Sequence, residues 1–389
     1  MKPEEDKNVW YVPFALSTGE KSAAPLDQLL KEKEVKWDVA EKAALVKLNS
    51  GQHGFYRVLY SDELLQKLSN ALVQSPSPLS NEDRVGLISD AFALSLAGFT
   101  STVTPLTLIE KYSLKDGYIV WSEITGNLNS LASAWWEQPE KSQEDLSRYM
   151  RSIYGPFAKS LGFEFKSDES DITHLLRNLI IAVAGKNGDE FVVQESKKRF
   201  EAFVKGDEKA LHPTVRGSVY GIVLKHGGDK TKLYYEEVYK IYKNSKLTDQ
   251  KLAALAALGN VQDVDLLKHT LEWSLKEDEV RPQDIMTPIG VVAANKKGRL
   301  MAWAFLQENY QLFHNRYYKG STAILSRLIT SCTSELGSID RIKEIEAFFK
   351  GKETTSVQRS ISQSIEKIQL THQWVSRDAA KVNAFLQGK

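Results

Sequence analysis

The 389-residue sequence predicts a mainly α-helical fold: an irregular stack of helix pairs of the HEAT or armadillo kind, preceded by a small partial β-sandwich. Three observations carry this expectation. Apolar spacing changes at Ser61 from a period of two to a period between three and four. From there a rhythm of helix, short Gly/Asp/Ser/Lys break and helix continues, at intervals of about 30–45 residues between about 168 and 350. Composition agrees, because 23 Gly and 11 Pro are modest for this length, while Leu, Ala, Lys, Glu and Ser dominate, which favours helix. The expected domains are residues 1–62, a partial β-sandwich, and 63–389, a helical solenoid. No strict tetratricopeptide or ankyrin register is present.

Taken in order, VWYVPFAL (9–16) and EVKWDVA (34–40) are short and rich in Val, Trp and Tyr, as strands are. AALVKLN (43–49) and GFYRVLY (54–60) flank a turn formed by Ser50, Gly51, Gln52, His53 and Gly54. In the second arm Phe55, Arg57 and Leu59 alternate with Tyr56, Val58 and Tyr60, the period of a strand with two faces. Four or five strands are too few to close a sandwich, so an exposed strand edge or apolar face is expected within 9–60. Leu64, Leu65, Leu68, Ala71 and Leu72 then fall on one helical face. SPSPLS (75–80) ends that helix, and Ser80 with Asp83 makes a capping box for the next, running to Gly98. Pro213 at a first-turn position and Gly227-Gly228 at a C-terminal position bracket TVRGSVYGIVLKH. LLRNLIIAVAG (175–185) is interrupted by Arg177 and Asn178 and falls short of the ~20 apolar residues that span a bilayer, so it reads as a buried helix. A last helix over about 355–387, carrying Ile361, Ile365, Ile368 and Trp374, is expected to pack across the preceding pairs. The sum is roughly fifteen helices of about 10–20 residues.

Charge and cysteine usage narrow the function classes. With 51 Lys and Arg against 50 Asp and Glu, the net charge is +1, which argues against nucleic-acid binding. Cys332 is the single cysteine, so no intrachain disulfide can form. No Asn-x-Ser/Thr sequon occurs, and MKPEEDKNVWYVPF has no signal-peptide character. Together these features point to a reducing, cytoplasmic setting. Cys332 follows AILSRLITS and reads as a buried small hydrophobe rather than a reactive thiol.

Catalytic signatures are missing from the sequence. The residues after His53, His174, His212, His226, His269, His314 and His372 are Gly, Leu, Pro, Gly, Thr, Asn and Gln, so no His-Glu-x-x-His zinc helix exists. No Gly-x-Ser-x-Gly elbow or Gly-x-Gly-x-x-Gly loop occurs, and HGGDKT (226–231) lacks the upstream glycine and the ending of a phosphate loop.

Several stretches nevertheless resemble the puromycin-sensitive branch of the gluzincin zinc aminopeptidases (peptidase family M1). LNSGQHGFYRVLYSDE (48–63) is similar to the strand and turn that end its third, β-sandwich domain. NEDRVGLISDAFALSLAG (81–98) and LKDGYIVWSEITGNL (114–128) resemble the opening helices of its fourth domain. EVRPQDIMTPIGVVAANKKGRLMAWAFLQENYQLFHNRY (279–317), with IEAFF (345–349) beyond it, resembles that helical domain further on. The resemblance covers about 8–387, and order and spacing carry it more than any one motif. It implies that the catalytic domain lies elsewhere in the polypeptide and holds the zinc. No family catalytic residue maps here, so this chain is expected to be no enzyme by itself and to need no cofactor of its own. It implies also that the helices form a concave bowl over the active-site cleft, enclosing a peptide chamber and supporting open and closed states. The partners would be the catalytic and N-terminal domains of the same polypeptide and peptide substrates, with no membrane span. The alternative is a stand-alone α-solenoid scaffold for proteins or peptides.

Seven residues are candidates for lining such a chamber. Arg281, Gln283 and Asp284 lie at a helix start in the stretch the resemblance places near it. Each has a plainer role, because Arg281 and Asp284 suit a first turn opened by Pro282. Lys296 and Arg299, with Lys297, form a basic cluster on a turn. With Arg316 and Arg327 they could attract a peptide's C-terminal carboxylate, though a solvated basic face is the commoner reading. Arg84 and Asp90 read as anchors between helix and strand, and Asp83 and Asp90, about 10 Å apart on one helix, as ordinary surface acids. Tyr235, Tyr239 and Tyr242 form a stripe that reads as a packing seam, and Trp135-Trp136 as core or interdomain contact.

Overall fold

The computed structural model of the protein describes residues 8–19, 28–36 and 45–389. Its contacts separate two compact units, Met1–Leu128 and Asn129–Lys389. The described residues contain four short strands and sixteen α-helices, a mainly α fold. None of these helices is long and apolar enough to cross a membrane.

In the first unit, β1 (Val12–Phe14) pairs antiparallel with β3 (Gln28–Leu30), and β2 (Leu16–Ser17) with β4 (Lys47–Leu48). These two-stranded ladders leave Trp10 75% and Phe55 108% exposed, beside Tyr11 and Leu59, as expected of an open β region. Three strand expectations need correction. Residues 34–36 are not in a strand, and 37–40 lie outside the described residues. In 43–49 only Lys47–Leu48 is strand, and residues 43 and 44 lie outside the described set. GFYRVLY (54–60) keeps its alternation, Val58 inward and Phe55 and Leu59 outward, yet joins no ladder. Side chains claim its polar groups instead: Asp90 accepts from Val58 N at 3.1 Å, and Tyr60 Oη accepts from Leu48 N at 3.0 Å. The strand Gln28–Leu30 carried no sequence signal that was recognised.

The turn between these arms depends on Asn49, which adopts the left-handed region (φ 52) that Asn tolerates. Its Oδ1 accepts from Gly54 N at 2.7 Å and its Nδ2 donates to Gly54 O at 3.1 Å. Gly51 (φ 72) completes the tight path.

Helices α1 (Asp62–Leu72) and α2 (Asn81–Leu96) begin where Ser61 and Ser80 supply caps, and Ser80 with Asp83 forms the expected capping box. Asp83 and Asp90 prove buried rather than surface acids. Asp83 also faces the buried Lys47 ammonium at 3.4 Å and accepts from Gly51 N at 2.9 Å. Burial lowers the Lys47 pKa despite this carboxylate. Arg84 pairs with buried Asp116 and donates to Leu72 O at 3.1 Å, so it ties helices together rather than helix to strand. A buried ion pair with its remaining donors satisfied fixes geometry more than it adds stability. The unit continues through α3 (Val103–Ile109) into α4 (Gly117–Ala134), within which the division between units falls.

The second unit is two layers of helices. One layer is α5 (Glu140–Leu161), α6 (Asp171–Lys186), α8 (Arg216–Lys225), α10 (Thr248–Ala257), α12 (Met286–Ala294), α14 (Thr322–Thr333) and α16 (Gln358–Gln387). Each packs on the next, and α16 returns to α5, so the series closes on itself. The other layer, α7 (Glu190–Val204), α9 (Thr231–Asn244), α11 (Val264–Ser274), α13 (Arg299–Tyr317) and α15 (Ile339–Phe349), packs against it. Closure is made by aromatic contact: Trp135 meets Trp374 edge-on at 5.5 Å, and Tyr149 meets Phe385 at 5.8 Å. Trp135 Nε1 donates to Asn383 Oδ1 at 3.2 Å. The last helix thus packs across earlier ones, as expected. Residues 175–185 are helical with Ile180 and Ile181 buried. Arg177 is buried too, with both terminal nitrogens on Glu169 at 2.6 Å. Pro213 opens a 3-10 turn that leads into α8 rather than α8 itself, and Gly228 (φ 59) lies past that helix's end.

The tyrosine stripe is a seam between α9 and α11. Tyr239 and Tyr242 stand edge-on to Trp273 at 5.2 and 5.3 Å, and Tyr235 Oη bonds Thr270 Oγ1 at 2.8 Å. Glu279 gathers the polar ends: Tyr239 Oη donates to its carboxylate, Trp273 Nε1 at 2.5 Å and Lys243 Nζ at 3.3 Å. These donors pull the Glu279 carboxyl down to about 2. Cys332 is buried, and burial pushes its thiol up to about 12, so it is packing material.

Candidate functional site

The site is assembled where helices of the closed series end together. Lys225 Nζ, at the end of α8, donates to Lys186 O at the end of α6 at 2.7 Å. Asn295, just past α12, donates to Gly259 O and Val261 O beyond α10, at 2.9 and 2.7 Å. Arg299 Nη1 reaches Glu335 O, beyond α14, at 3.2 Å. Helix C-termini carry partial negative charge, and cations placed there offset it. That is the local reason Lys186, Lys225, Lys296 and Arg299 occupy these positions.

Their surroundings separate Arg299 from the lysines. Arg299 is 4% exposed, and its donors are engaged: Nε with Ala293 O at 3.3 Å, Nη1 with Ser133 O at 3.3 Å, Nη2 with Ser133 Oγ at 3.2 Å. Its guanidinium lies over the Trp136 ring at 4.8 Å. Ser133 Oγ in turn donates to Glu335 Oε2 at 2.5 Å, and Lys367 pairs with the other carboxylate oxygen. Burial works against the Glu335 charge, but Lys367, Ser133 and Arg299 outweigh it and hold the carboxyl below its usual range. The reading of Arg299 as part of a solvated basic cluster is therefore corrected. It is a hub joining the end of α4, the start of α13 and the turn after α14.

The lysines face water. Lys186 and Lys296 are exposed and Lys225 is half-buried at these helix ends. Burial and one another's charge act together. Lys225 falls to about 8, through burial first and then Lys186 and Lys296. Lys186 is lowered by burial and Arg299, and Lys296 by burial, Arg299 and Lys186. His226, beside Lys225, is lowered by burial and then by Lys225. The wall opposite is α5: Gln143 Oε1 accepts from Lys296 Nζ, and Arg151 donates to Asn187 O at 2.7 Å and to Glu144 at 2.6 Å. Glu144 and Glu140 counter the lysines, and Glu144 is already bonded to Arg151. Gly298 lets the α12–α13 turn close, since a Cβ there would stand 2.5 Å from Val292 O.

The other candidates lie at the opposite end of α12, a helix of nine residues and so about 13 Å long. Arg281 Nε pairs with Asp284 Oδ2 at 2.6 Å, the first-turn arrangement, and Gln283 is exposed beside them. Arg316 pairs with Glu277, and Arg327 is exposed with Nη1 3.9 Å from Met286 Sδ. Tyr317 Oη donates to Pro282 O at 2.8 Å, fastening this end. The seven candidates therefore divide into two groups. Lys186 and Lys225, which complete one of them, lie 110 and 71 residues before Lys296. Only closure of the helix series unites them.

Zinc donors do not converge. Among the described residues no group of three His, Cys, Asp or Glu side chains could hold a metal. Where two histidines meet, His174 and His212 with ring centroids 5.4 Å apart, His212 is stacked on Phe165 at 3.8 Å. The neighbouring carboxylate, Glu169, is held by Arg177 through both oxygens. These residues do not fit a metal centre.

Comparison with known proteins bears on this arrangement. The sequence profile of the ERAP1-like C-terminal domain matches residues 45–370. The chain is 33% identical over its whole length to Aminopeptidase 2, mitochondrial, of Saccharomyces cerevisiae, covering 39% of that protein. It is 30% identical over its whole length to the Alanine/arginine aminopeptidase of the same yeast, covering 44%. It is 28% identical to Aminopeptidase M1 of Arabidopsis thaliana, with 94% of this chain and 42% of that one aligned. A mainly helical unit of this kind is the domain type that the profile describes as C-terminal. The chain belongs to the ERAP1-like C-terminal domain family, and it spans about two-fifths of the length of these curated relatives.

Proposed function

We propose that this chain is the chamber-forming, non-catalytic part of a zinc aminopeptidase that removes N-terminal residues from peptides in the cytoplasm. In this reading residues 1–62 finish a β-sandwich domain and residues 63–389 form a bowl that caps the active-site cleft. The catalytic and N-terminal domains of the same polypeptide are its partners, and movement against them opens and closes the chamber. The zinc, held in the catalytic domain, would activate water and polarise the scissile carbonyl. Relatives named as aminopeptidases and the absence of a zinc helix from the sequence support this division of labour.

This chain's own contribution is the lysine cluster at these helix ends. Lys186, Lys225 and Lys296, crowded and barely countered by carboxylates, would take the C-terminal carboxylate of a peptide. An added negative charge relieves their mutual repulsion, so the binding gain is larger than at a lone surface lysine. The gathering of Lys186, Lys225 and Lys296 at helix ends, where burial and cationic neighbours disfavour each ammonium charge, is the observation that carries the reading. Arg281, Gln283, Asp284, Arg316 and Arg327 would line the chamber wall at the other end of α12.

Calorimetry with paired peptides tests it. A peptide acid is expected to bind several-fold tighter than its C-terminal amide, and Lys186→Gln with Lys296→Gln to abolish the difference. Equal binding of acid and amide removes the carboxylate assignment. Turnover of aminoacyl-naphthylamides by this chain with added zinc would overturn its non-catalytic role.

A further inference from the structure

A cleft of about 360 Å³ opens in the second unit where α7 and α9 both end, at Val204 and Asn244. Ligand clefts run from about 300 to 1,000 Å³, so this one suits a single side chain rather than a cofactor. Phe203, Val204 and Ile241 give it an apolar lining. Its charged residues are Glu208, Glu237 and Lys240, two carboxylates against one ammonium. The C-terminal turns of two helices add partial negative charge, of which the start of α10 beside them offsets one part. An apolar lining with a negative balance of charge is complementary to a methylene stem that ends in a cation.

The protein shows the match with a side chain of its own. Arg216 lies over the Phe203 ring at 4.8 Å and donates to Glu208 Oε2 at 3.0 Å. Lys240 donates to Glu237 Oε1 at 2.7 Å. Each carboxylate thus spends one oxygen, and the second oxygen of each accepts no hydrogen bond among the described residues. The Glu208 side chain is 73% exposed and that of Lys240 59%. Water screens such pairs, so a ligand displaces or shares them at small cost. We propose that this cleft binds the arginine side chain of a peptide, its stem on Phe203, Val204 and Ile241 and its guanidinium shared between Glu208 and Glu237. A planar fork of five donors serves two carboxylates, where an ammonium acts as a point charge. The assignment rests on the reading above only in taking a peptide as the molecule that presents the arginine.

Titration calorimetry on this chain tests it, with peptides acetylated at one end and amidated at the other. Such peptides offer the lysine cluster no carboxylate. An arginine peptide is expected to bind several-fold tighter than the same peptide with citrulline, which keeps the shape and loses the charge. Glu208→Gln with Glu237→Gln should remove that preference. Glu236→Gln, at an exposed position of α9 outside the cleft, should keep it. Lys240→Ala should strengthen it, by releasing Glu237 and deleting a like charge. Equal binding of the two peptides overturns the proposal. So does a preference that survives the double variant, or one that the Glu236 variant loses as fully. Because both peptide ends are blocked, this result is independent of the comparison between peptide acid and amide, and either assignment can fail alone.

Discussion

Around Glu279, one carboxylate is met by the hydroxyl of Tyr239, the indole of Trp273 and the ammonium of Lys243. Around Lys225, a few helices away in the same unit, the charges that act on it most are Lys186 and Lys296, both of its own sign. The first arrangement lowers a carboxyl pKa and so favours the charged, bonded form; the second lowers an amine pKa and so disfavours the charged form. Polar groups that satisfy each other hold the fold. Like charges held together by that fold are available to something else. Arg299 and Lys296 show the same contrast within a single turn: one is buried with its donors engaged, the other faces water.

The comparison can be broken most severely at Arg299. Arg299→Met should cost about 3–5 kcal/mol in urea unfolding, because Ser133, Glu335 and three helix ends lose their shared partner. Lys at this position should restore little, lacking the fork of donors. Next comes Glu279→Gln, expected to cost about 2 kcal/mol at pH 7, since hydrogen bonds to a charged acceptor become neutral ones. The sign with pH follows from the depressed Glu279 pKa. The contribution is complete above the ordinary value of 4.5 and is lost as pH falls toward about 2. The Glu279→Gln penalty should therefore shrink across that window in acid unfolding curves.

Lys225 runs the other way. Its folded pKa, about 8, lies below the ordinary 10.5, so the unfolded chain binds the extra proton between these values. Stability should rise with pH across that window, and a Lys225→Met variant should lack this component of the rise. Lys296→Gln should shift stability by no more than about 0.5 kcal/mol while moving the Lys225 titration upward in side-chain NMR. The smallest effect is expected at Lys276→Ala. Its side chain is 59% exposed, with Nζ 3.8 Å from Glu279, and loss within about 0.3 kcal/mol would place it at the rim of that cluster.

Helix placement was legible because it is local. The Ser80–Asp83 capping box, the apolar run at 175–185 and the 235–239–242 tyrosine spacing each lie within a few turns of chain. The strand expectation at 54–60 failed because alternation reports two faces, not a paired backbone; Asp90, 32 residues on, decides where Val58 N bonds. Asp83 and Asp90 looked like surface acids for the same reason, since Lys47 and Arg57, their partners, precede the helix that carries them. Of the lysine cluster, Lys296 was visible as a basic turn. Lys186 and Lys225 carry no mark in the sequence that sets them apart, and only the return of α16 to α5 brings these helix ends together.

That return has a consequence for how the architecture can vary. An open array can gain or lose a unit at either end with each neighbour interface intact. Here the ends of the series clasp each other through Trp135, Trp374 and Asn383, so a further helix pair could enter only by parting that contact.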